Sequence, residues 1–214
     1  MQNVYFISGL GADKRAFNFL DLSFCHPIFI DWMEPLPKEN LQQYALRMYQ
    51  QIPDKKPVIV GLSFGGMLTT EMAIANPDVK GIIISSNKVH TEFPTLLKFG
   101  KIFPAYKWIP ENFTKKINST LSWFLGVKGI EQRKIRSLLI QDSDPKFTKW
   151  AIEAIMNWKN KTVPKNIVHI HGTRDKLLPY RYVKPDYTIV GGEHLMVMDK
   201  AEEISALLKK LILD

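Results

Sequence analysis

The chain has 214 residues, of which 45% are hydrophobic and 23% charged, and its formal net charge at pH 7 is +8. This composition is typical of one globular domain with a full hydrophobic core, and it excludes a disordered or collagen-like chain. The apolar runs fall well short of the roughly 18 residues of a membrane-spanning helix, and Met1 is not followed by the pattern of a secretory signal. Because the single cysteine, Cys25, cannot form an intrachain disulfide, we expect a cytoplasmic protein without a membrane span.

Short apolar runs alternate with helical patterns on both sides of a central segment. In chain order, strands are predicted at 4–8, 27–31, 57–62 and 79–86, and helices at 13–20, 41–52 and 64–75. After residue 165 the alternation continues with strands at 166–171 and 187–190 and a closing helix at 201–213. Continuously apolar strands separated by helices indicate a sheet that is covered on both faces. The predicted fold class is therefore α/β, with a doubly wound, mostly parallel sheet.

The central segment, residues 88–165, differs from its flanks in charge and in periodicity. Residues 91–165 hold fourteen Lys or Arg and six Asp or Glu, so this part accounts for the whole net charge. It has no clear strand pattern, whereas 135–140 and 147–158 look helical. Its aromatic residues are Phe99, Phe103, Tyr106, Trp108, Phe113, Trp123, Phe124, Phe147, Trp150 and Trp158. We interpret the segment as a helical insertion into a core of residues 1–87 and 166–214, with these aromatics packed onto the sheet domain.

The strongest chemical signal lies between the third predicted strand and the helix that follows it. Gly61-Leu62-Ser63-Phe64-Gly65 has the GxSxG spacing of a sharp strand-to-helix turn, in which a strained serine is tolerated because its neighbours two residues away are glycines. Gly66 also lacks a side chain, which leaves further space beside this turn. Such a turn would project the Ser63 hydroxyl above the carboxyl ends of the strands, with the Phe64 amide beside it at a helix N-terminus. We therefore predict a nucleophilic serine.

A serine nucleophile needs a general base, and the base needs an acceptor that holds its ring. His194 follows a strand and two glycines, on a loop that could carry an imidazole over the sheet edge. Asp175 lies just past the end of another predicted strand and could accept the imidazole N–H. The order Ser63, Asp175, His194 is the chain order of nucleophile, acid and base in hydrolases whose serine lies in a GxSxG turn. The remaining histidines, interpreted as packed or surface residues, are His26, His90, His169 and His171.

Together these segments resemble the α/β-hydrolase fold family over nearly the whole chain. The resemblance rests on Ser8-Gly9-Leu10-Gly11, Gly61 to Gly66, His171 to Asp175 and Gly191 to His194, which occur in family order. It implies that the chain begins at the family's third strand, and that the Leu10 and Phe64 amides form the oxyanion hole. It also implies that residues 88–165 are a cap that roofs the active site. Ser8 stands where the family usually has histidine, so the support of this loop must differ.

Two other function classes remain open at this point. Gly9-Leu10-Gly11 after a first strand, with Asp31 about 20 residues on, is also typical of a dinucleotide-binding fold, although Lys14 replaces its third glycine. A hydrolase-like protein that binds a ligand without turnover is the other alternative. Neither explains the Ser63 turn together with the Asp175 and His194 loops as well as a catalytic triad does.

The hypothesis from sequence is acyl transfer to water, with a small carboxylic ester or thioester as substrate. No metal or organic cofactor is expected, because the triad would carry the chemistry and the sequence has no cluster of Cys and His ligands. The basic central segment makes an anionic or carrier-linked acyl substrate a further candidate. Nucleic acid is not an expected partner, since no binding motif accompanies the lysines. The oligomeric state cannot be deduced from the sequence.

Overall fold

The computed structural model describes residues 1–94, 125–127 and 129–213. Within these residues, six strands form one sheet in which every pairing is parallel. The strands are β1 (Asn3–Ile7), β2 (His26–Phe29), β3 (Val58–Leu62), β4 (Lys80–Ile84), β5 (Ile167–Gly172) and β6 (Tyr187–Ile189). Their order is β2-β1-β3-β4-β5-β6. This confirms the α/β prediction and differs from the 3-2-1-4-5-6 order of the dinucleotide-binding fold, so the topology gives that alternative no support.

Helices cover both faces of the sheet. They are α1 (Leu41–Tyr49), α2 (Phe64–Ala75), α3 (Ile130–Asp142), α4 (Pro145–Asn157), α5 (Met196–Asp199) and α6 (Ala201–Leu213). The predicted helix at 13–20 is reduced to one 3-10 turn, Lys14–Phe17, which the Asp13 side chain caps by accepting the Arg15 N–H. The prediction also missed α5, because four residues are too short to show a helical period.

The hydrophobic core lies in two layers, one on each side of the sheet. Alternate strand residues point to opposite faces, so Tyr5 and Ile59 pack with α1, α2 and α4, whereas Phe6 and Val60 pack with α6. In the paired strands Phe6 lies opposite Val60. Because both faces are covered, the central strands β1, β3 and β4 consist mainly of buried apolar residues. The carboxyl ends of the parallel strands meet at one edge of the sheet.

The described part of segment 88–165 contains α3 and α4. Helix α3 includes the helical stretch predicted at 135–140, and α4 includes the one predicted at 147–158 except its last residue, Trp158, which follows the helix. Helix α4 is tied to the sheet domain by two indole N–H groups. Trp150 donates to the Glu39 carbonyl at 2.9 Å, and Trp158 donates to the buried Glu71 carboxylate at 2.6 Å. Phe147 also packs in this core layer. The predicted aromatics at 99–124 lie outside the described residues. None of the helices that the structure describes is long and apolar enough to cross a membrane.

Candidate active site

Ser63 occupies the turn between β3 and α2 in a backbone conformation that few L-residues adopt. Its φ is 51° and its ψ is −113°, a combination that costs on the order of 1–3 kcal/mol unless the surroundings impose it. The surroundings do so here. The Ser63 amide donates to the Ile84 carbonyl at 2.9 Å, and the Ser63 carbonyl accepts the Ser86 hydroxyl at 2.7 Å.

The two glycines that flank Ser63 are required by close backbone contacts. A Cβ on Gly65 would collide with the Ile7 and Ser8 carbonyl oxygens, and one on Gly61 would lie 2.5 Å from the Gly65 carbonyl oxygen. Helix α2 starts directly after Ser63, so its unpaired amides and its positive dipole end lie next to the hydroxyl. The sequence-predicted turn is therefore present, with the serine at its apex.

His194 bridges the other two residues that the sequence singled out. Its Nε2 lies 2.9 Å from the Ser63 Oγ, and its Nδ1 lies 2.8 Å from the Asp175 Oδ2. The three residues follow β3, β5 and β6, and the parallel arrangement brings these strand ends to the same edge of the sheet. The Asp175 and His194 side chains are almost fully buried, at 0% and 2% exposure. Water therefore competes little for the bond between them.

The carboxylate of Asp175 is held on both of its oxygens. Oδ1 accepts the backbone N–H groups of Leu177 at 2.9 Å and Leu178 at 2.8 Å, which leaves Oδ2 for His194. Burial raises the pKa of Asp175, but its contacts with His194, His171 and the Leu178 amide outweigh burial and leave the pKa below its ordinary value. The group is therefore an anion at neutral pH, oriented by its own turn.

A second buried imidazole, that of His171, contacts the turn that holds the Asp175 carboxylate. His171 Nε2 lies 2.8 Å from the Leu178 carbonyl and 3.5 Å from Asp175 Oδ2. Burial is the main cause of the lowered pKa of His171, so the ring is neutral. Because a carbonyl oxygen only accepts, the hydrogen must be on Nε2, and Nδ1 must accept. Its donor is His169 Nε2, 3.1 Å away.

The loop of residues 8–12 passes beside the serine, and we name it the oxyanion loop for the role that the sequence predicts for it. A Cβ placed on Gly9 would lie 3.4 Å from the Ser63 Cβ, in ordinary contact. Within the described part of the chain, the Leu10 and Phe64 amides donate no hydrogen bond, so both are free to bind a developing oxyanion. The sequence proposed these two amides for that role, and the structure brings their loops together at Ser63.

An aromatic cluster and a cavity adjoin this loop. The cluster consists of Trp32, Tyr44, Phe64, Phe147 and Trp150, whose neighbouring ring centroids are 4.5–6.4 Å apart. The cavity has a volume of about 480 Å³ and is lined by residues of the oxyanion loop, by the segment after β2 and by the α3–α4 connection. Its titratable lining residues are Asp13, Glu34, Asp142, Asp144 and Lys146. Ser63 is not among the described residues that line it.

Sequence reasoning singled out Ser63, Asp175 and His194, which the structure brings together, and missed the residues that hold them in place. The described chain contains no group of three or more His, Cys, Asp or Glu side chains arranged for a metal ion. His171 was interpreted as a packed histidine, and it is fully buried, but its bond to the Asp175 turn was not foreseen. Trp32 was not singled out at all. Its position directly after β2, at the same sheet edge as Ser63, was the available signal.

Comparisons with known proteins identify the family and the fold of the chain. The family model described as "Alpha/beta hydrolase family" matches residues 4–207. Among solved structures, an esterase from Exiguobacterium antarcticum is 12% identical and superimposes with a TM-score of 0.74 over 100% of this chain and 92% of that one. A thermophilic esterase from Thermogutta terrifontis is 14% identical, with a TM-score of 0.76 over 99% of this chain and 89% of that one. At such identities the likeness shows the fold alone.

One curated relative also matches. It is the biotin biosynthesis bifunctional protein BioHC of Teredinibacter turnerae, 25% identical in a 192-residue alignment that covers 79% of this chain. The match covers 33% of that protein, so the chain corresponds to about a third of its length. The family match, the all-parallel sheet and the position of Ser63 after β3 lead to one assignment: the chain belongs to the alpha/beta hydrolase family.

Proposed function

We propose that the protein is a serine hydrolase that cleaves small carboxylic esters or thioesters, with Ser63 as nucleophile, His194 as general base and Asp175 as the group that orients it. One observation carries the proposal. The His194 ring lies within hydrogen-bond distance of both the Ser63 hydroxyl and the Asp175 carboxylate, at 2.9 and 2.8 Å. This is the arrangement by which a neutral imidazole can take the serine proton and be stabilised when it becomes charged.

The first half of the reaction would form an acyl-enzyme. Ser63 Oγ attacks the substrate carbonyl carbon while its proton moves to His194 Nε2, and the carbonyl electron pair moves onto oxygen. The amides of Leu10 and Phe64 bind that oxyanion. When the tetrahedral intermediate collapses, the bond to the leaving alcohol or thiol breaks, and the leaving group takes the proton from His194. The negative charge of Asp175 stabilises the imidazolium in between.

The second half would repeat these steps with water. His194 removes a proton from a water molecule, which attacks the acyl carbon, and the same two amides bind the second oxyanion. The bond to Ser63 Oγ then breaks, and His194 returns the proton to the serine. The carboxylic acid leaves, and the triad is restored without any net change. Each step uses groups that already contact one another.

Residues 88–165 are proposed to act as the cap that shapes the substrate site. Support comes from α4, whose Phe147 lines the cavity beside the oxyanion loop and packs against Phe64, the residue next to the nucleophile. An apolar acyl or aryl group therefore has a complementary surface close to the reaction centre. The esterases among the structural neighbours favour an ester substrate.

An acidic carrier or a coenzyme A ester remains a candidate source of the acyl group, because residues 91–165 carry the excess of Lys and Arg. Four carboxylates and one lysine line the cavity beside the oxyanion loop, and two of the carboxylates, Asp13 and Asp142, are paired with Arg15. An anionic carrier would contact Lys and Arg residues of the cap, while its acyl portion reaches Ser63.

Hydrolysis of a panel of substrates would test the proposal. Wild type and Ser63→Ala would be assayed with p-nitrophenyl esters of increasing chain length and with acyl thioesters, the latter at two salt concentrations. We expect turnover that depends on Ser63 and on chain length, and a salt-sensitive KM if the basic cap binds a carrier. A Ser63→Ala preparation that is as active as wild type would contradict the proposal, and so would a wild type that binds esters without turning them over.

A further inference from the structure

A buried side chain at the first position of the oxyanion loop holds it in place. Ser8 occupies that position, is only 3% exposed, and donates its hydroxyl hydrogen to the Ala12 carbonyl at 2.8 Å. Inside this bond the Ala12 amide donates to the Gly9 carbonyl at 3.0 Å. Two bonds within residues 8–12 therefore close the loop around the Leu10 amide.

A second side chain reaches the same carbonyl from another strand end. Trp32, which follows β2, donates its indole N–H to the Ala12 oxygen at 2.8 Å. A carbonyl oxygen has two lone pairs, and Ser8 and Trp32 together use both. The peptide that ends the loop is therefore fixed from two directions, by a neighbour four residues away and by a tryptophan twenty residues away.

The Trp32 ring also contacts the other half of the oxyanion site. Its centroid lies 5.7 Å from that of Phe64 and 5.1 Å from that of Phe147 on α4. Phe64 carries the second amide that would bind the oxyanion. Trp32 thus contacts both parts of the oxyanion site. Its indole N–H bonds the loop that contains Leu10, and its ring packs against Phe64.

We propose that Ser8 and Trp32 are positioning residues of the oxyanion hole, which set the distance and direction of the Leu10 amide relative to the Phe64 amide. The inference rests on the proposed function and refines it. The physical reason is that an oxyanion donor is effective only if it is already aimed at the place where charge develops. The loop contains two glycines, Gly9 and Gly11, and Gly11 has a positive φ of 70°, so its own backbone restrains it weakly.

The size of the expected effect follows from this role. Removing an oxyanion donor outright costs about 10²–10³ in kcat, and loosening one should cost part of that, roughly tenfold for each lost bond. We expect Ser8→Ala and Trp32→Phe each to lower kcat about tenfold, with KM changed less than about threefold. The double variant should fall further, because the Ala12 oxygen then has neither side-chain donor.

Trp150→Phe is the matched control. Trp150 belongs to the same aromatic cluster and donates its indole N–H to a backbone carbonyl, that of Glu39, at 2.9 Å, but it does not touch the oxyanion loop. Both substitutions remove one indole hydrogen bond and keep an aromatic ring. A general loss of packing would affect the two variants alike, whereas a positioning role predicts a loss of kcat in Trp32→Phe alone.

The experiment measures kcat, KM and Tm, together with the ratio of kcat for an ester and its thionoester. Sulfur is a weaker hydrogen-bond acceptor than oxygen, so this ratio reports the strength of the oxyanion contacts. We expect the ratio to fall in Ser8→Ala and Trp32→Phe and to stay at the wild-type value in Trp150→Phe. The pH dependence of kcat should be unchanged in all three, because the triad is untouched.

The proposed function and the positioning role of Ser8 and Trp32 can be refuted separately. If wild type shows no turnover that depends on Ser63, the proposed function is wrong. If wild type is active but Ser8→Ala and Trp32→Phe keep its kcat and its ester-to-thionoester ratio, the positioning role is wrong and the proposed function stands. Equal losses of kcat in Trp32→Phe and Trp150→Phe would also overturn it. Should Ser8→Ala fail to fold, the comparison of the two tryptophan variants still decides the question.

Discussion

Replacing Asp175 by Asn is expected to abolish most activity while leaving the fold intact. The two backbone amides of Leu177 and Leu178 donate to Oδ1 of Asp175. In Asp175→Asn only the amide oxygen can accept these hydrogens, so the NH2 group must take the place of Oδ2. That group then donates to His194 Nδ1, which lies 2.8 Å from Oδ2 in the native site.

The reversed bond would put the imidazole in the wrong tautomer. If Nδ1 accepts, the hydrogen of the neutral ring is on Nε2, which then donates to Ser63 Oγ and cannot remove its proton. A triad histidine in this tautomer costs about 10⁴-fold in kcat. At about 1.36 kcal/mol per tenfold, this raises the activation free energy by roughly 5.4 kcal/mol. We expect a loss of that size.

The assay is ester hydrolysis at neutral pH, combined with thermal unfolding and nitrogen NMR of the histidine tautomers. Asp21→Asn is the control, since Asp21 also accepts a backbone amide, that of Ser23 at 3.0 Å, but lies on the surface. It should retain wild-type kcat. A folded Asp175→Asn enzyme with kcat within tenfold of wild type would refute the reasoning, as would a His194 ring that still carries its hydrogen on Nδ1.

Two further predictions concern stability. Gly65→Ala should lower the unfolding free energy by about 1–3 kcal/mol in urea titrations. The reason is that the added Cβ would collide with the Ile7 and Ser8 carbonyls, which are backbone atoms and cannot rotate away. An unchanged urea midpoint would contradict the close contact between Gly65 and these carbonyls. Burial is the main cause of the lowered pKa values of His169 and His171. As the pH falls below about 6.5, these two histidines therefore bind protons in the unfolded chain but stay neutral in the folded protein. The unfolding free energy should therefore decrease with falling pH, by up to about 1.4 kcal/mol per pH unit for each histidine. His169→Gln should make this decrease smaller between about pH 6.5 and 5.5. Equal slopes in the variant and in wild type would show that His169 does not contribute.

The fold and the proximity of the three candidate residues could be predicted because they depend on local spacing and on the order of the strands. The glycines at 61 and 65 predict a sharp turn, and an all-parallel sheet sends the ends of β3, β5 and β6 to one edge. Once those two facts are combined, Ser63, Asp175 and His194 must lie near one another. The sequence contains this information in its turn residues and in the order of its elements.

The supporting contacts could not be predicted, because they join residues that are distant in the chain through side-chain directions. Trp32 reaches Ala12 only because β1 and β2 are neighbours in the sheet, and no periodic pattern reveals which way its indole points. The same holds for His171, whose bond to Leu178 depends on how the turn after β5 folds back. Residues within hydrogen-bond distance need not be near in sequence.

The net charge of a segment does not give the charge at each site within it. The excess of Lys and Arg in residues 91–165 suggested an anionic partner, and this stays a prediction. The cavity beside the oxyanion loop is lined by Asp13, Glu34, Asp142, Asp144 and Lys146, with Arg15 paired to Asp13 and Asp142. Net charge sums over a segment, whereas a site responds to the few groups that face it. The boundaries of the cap, residues 88–165, stay a prediction, since 95–124 lie outside the described residues.

The most direct test of the account is the intact mass of the protein after exposure to a fluorophosphonate, for wild type, Ser63→Ala and Ser86→Ala. Ser86 lies next to the turn and bonds the Ser63 carbonyl, but it has no contact with His194 in the described structure. The account predicts one adduct in wild type and in Ser86→Ala and none in Ser63→Ala. An adduct that persists in Ser63→Ala, or a wild type that is never labelled, would contradict Ser63 as the nucleophile.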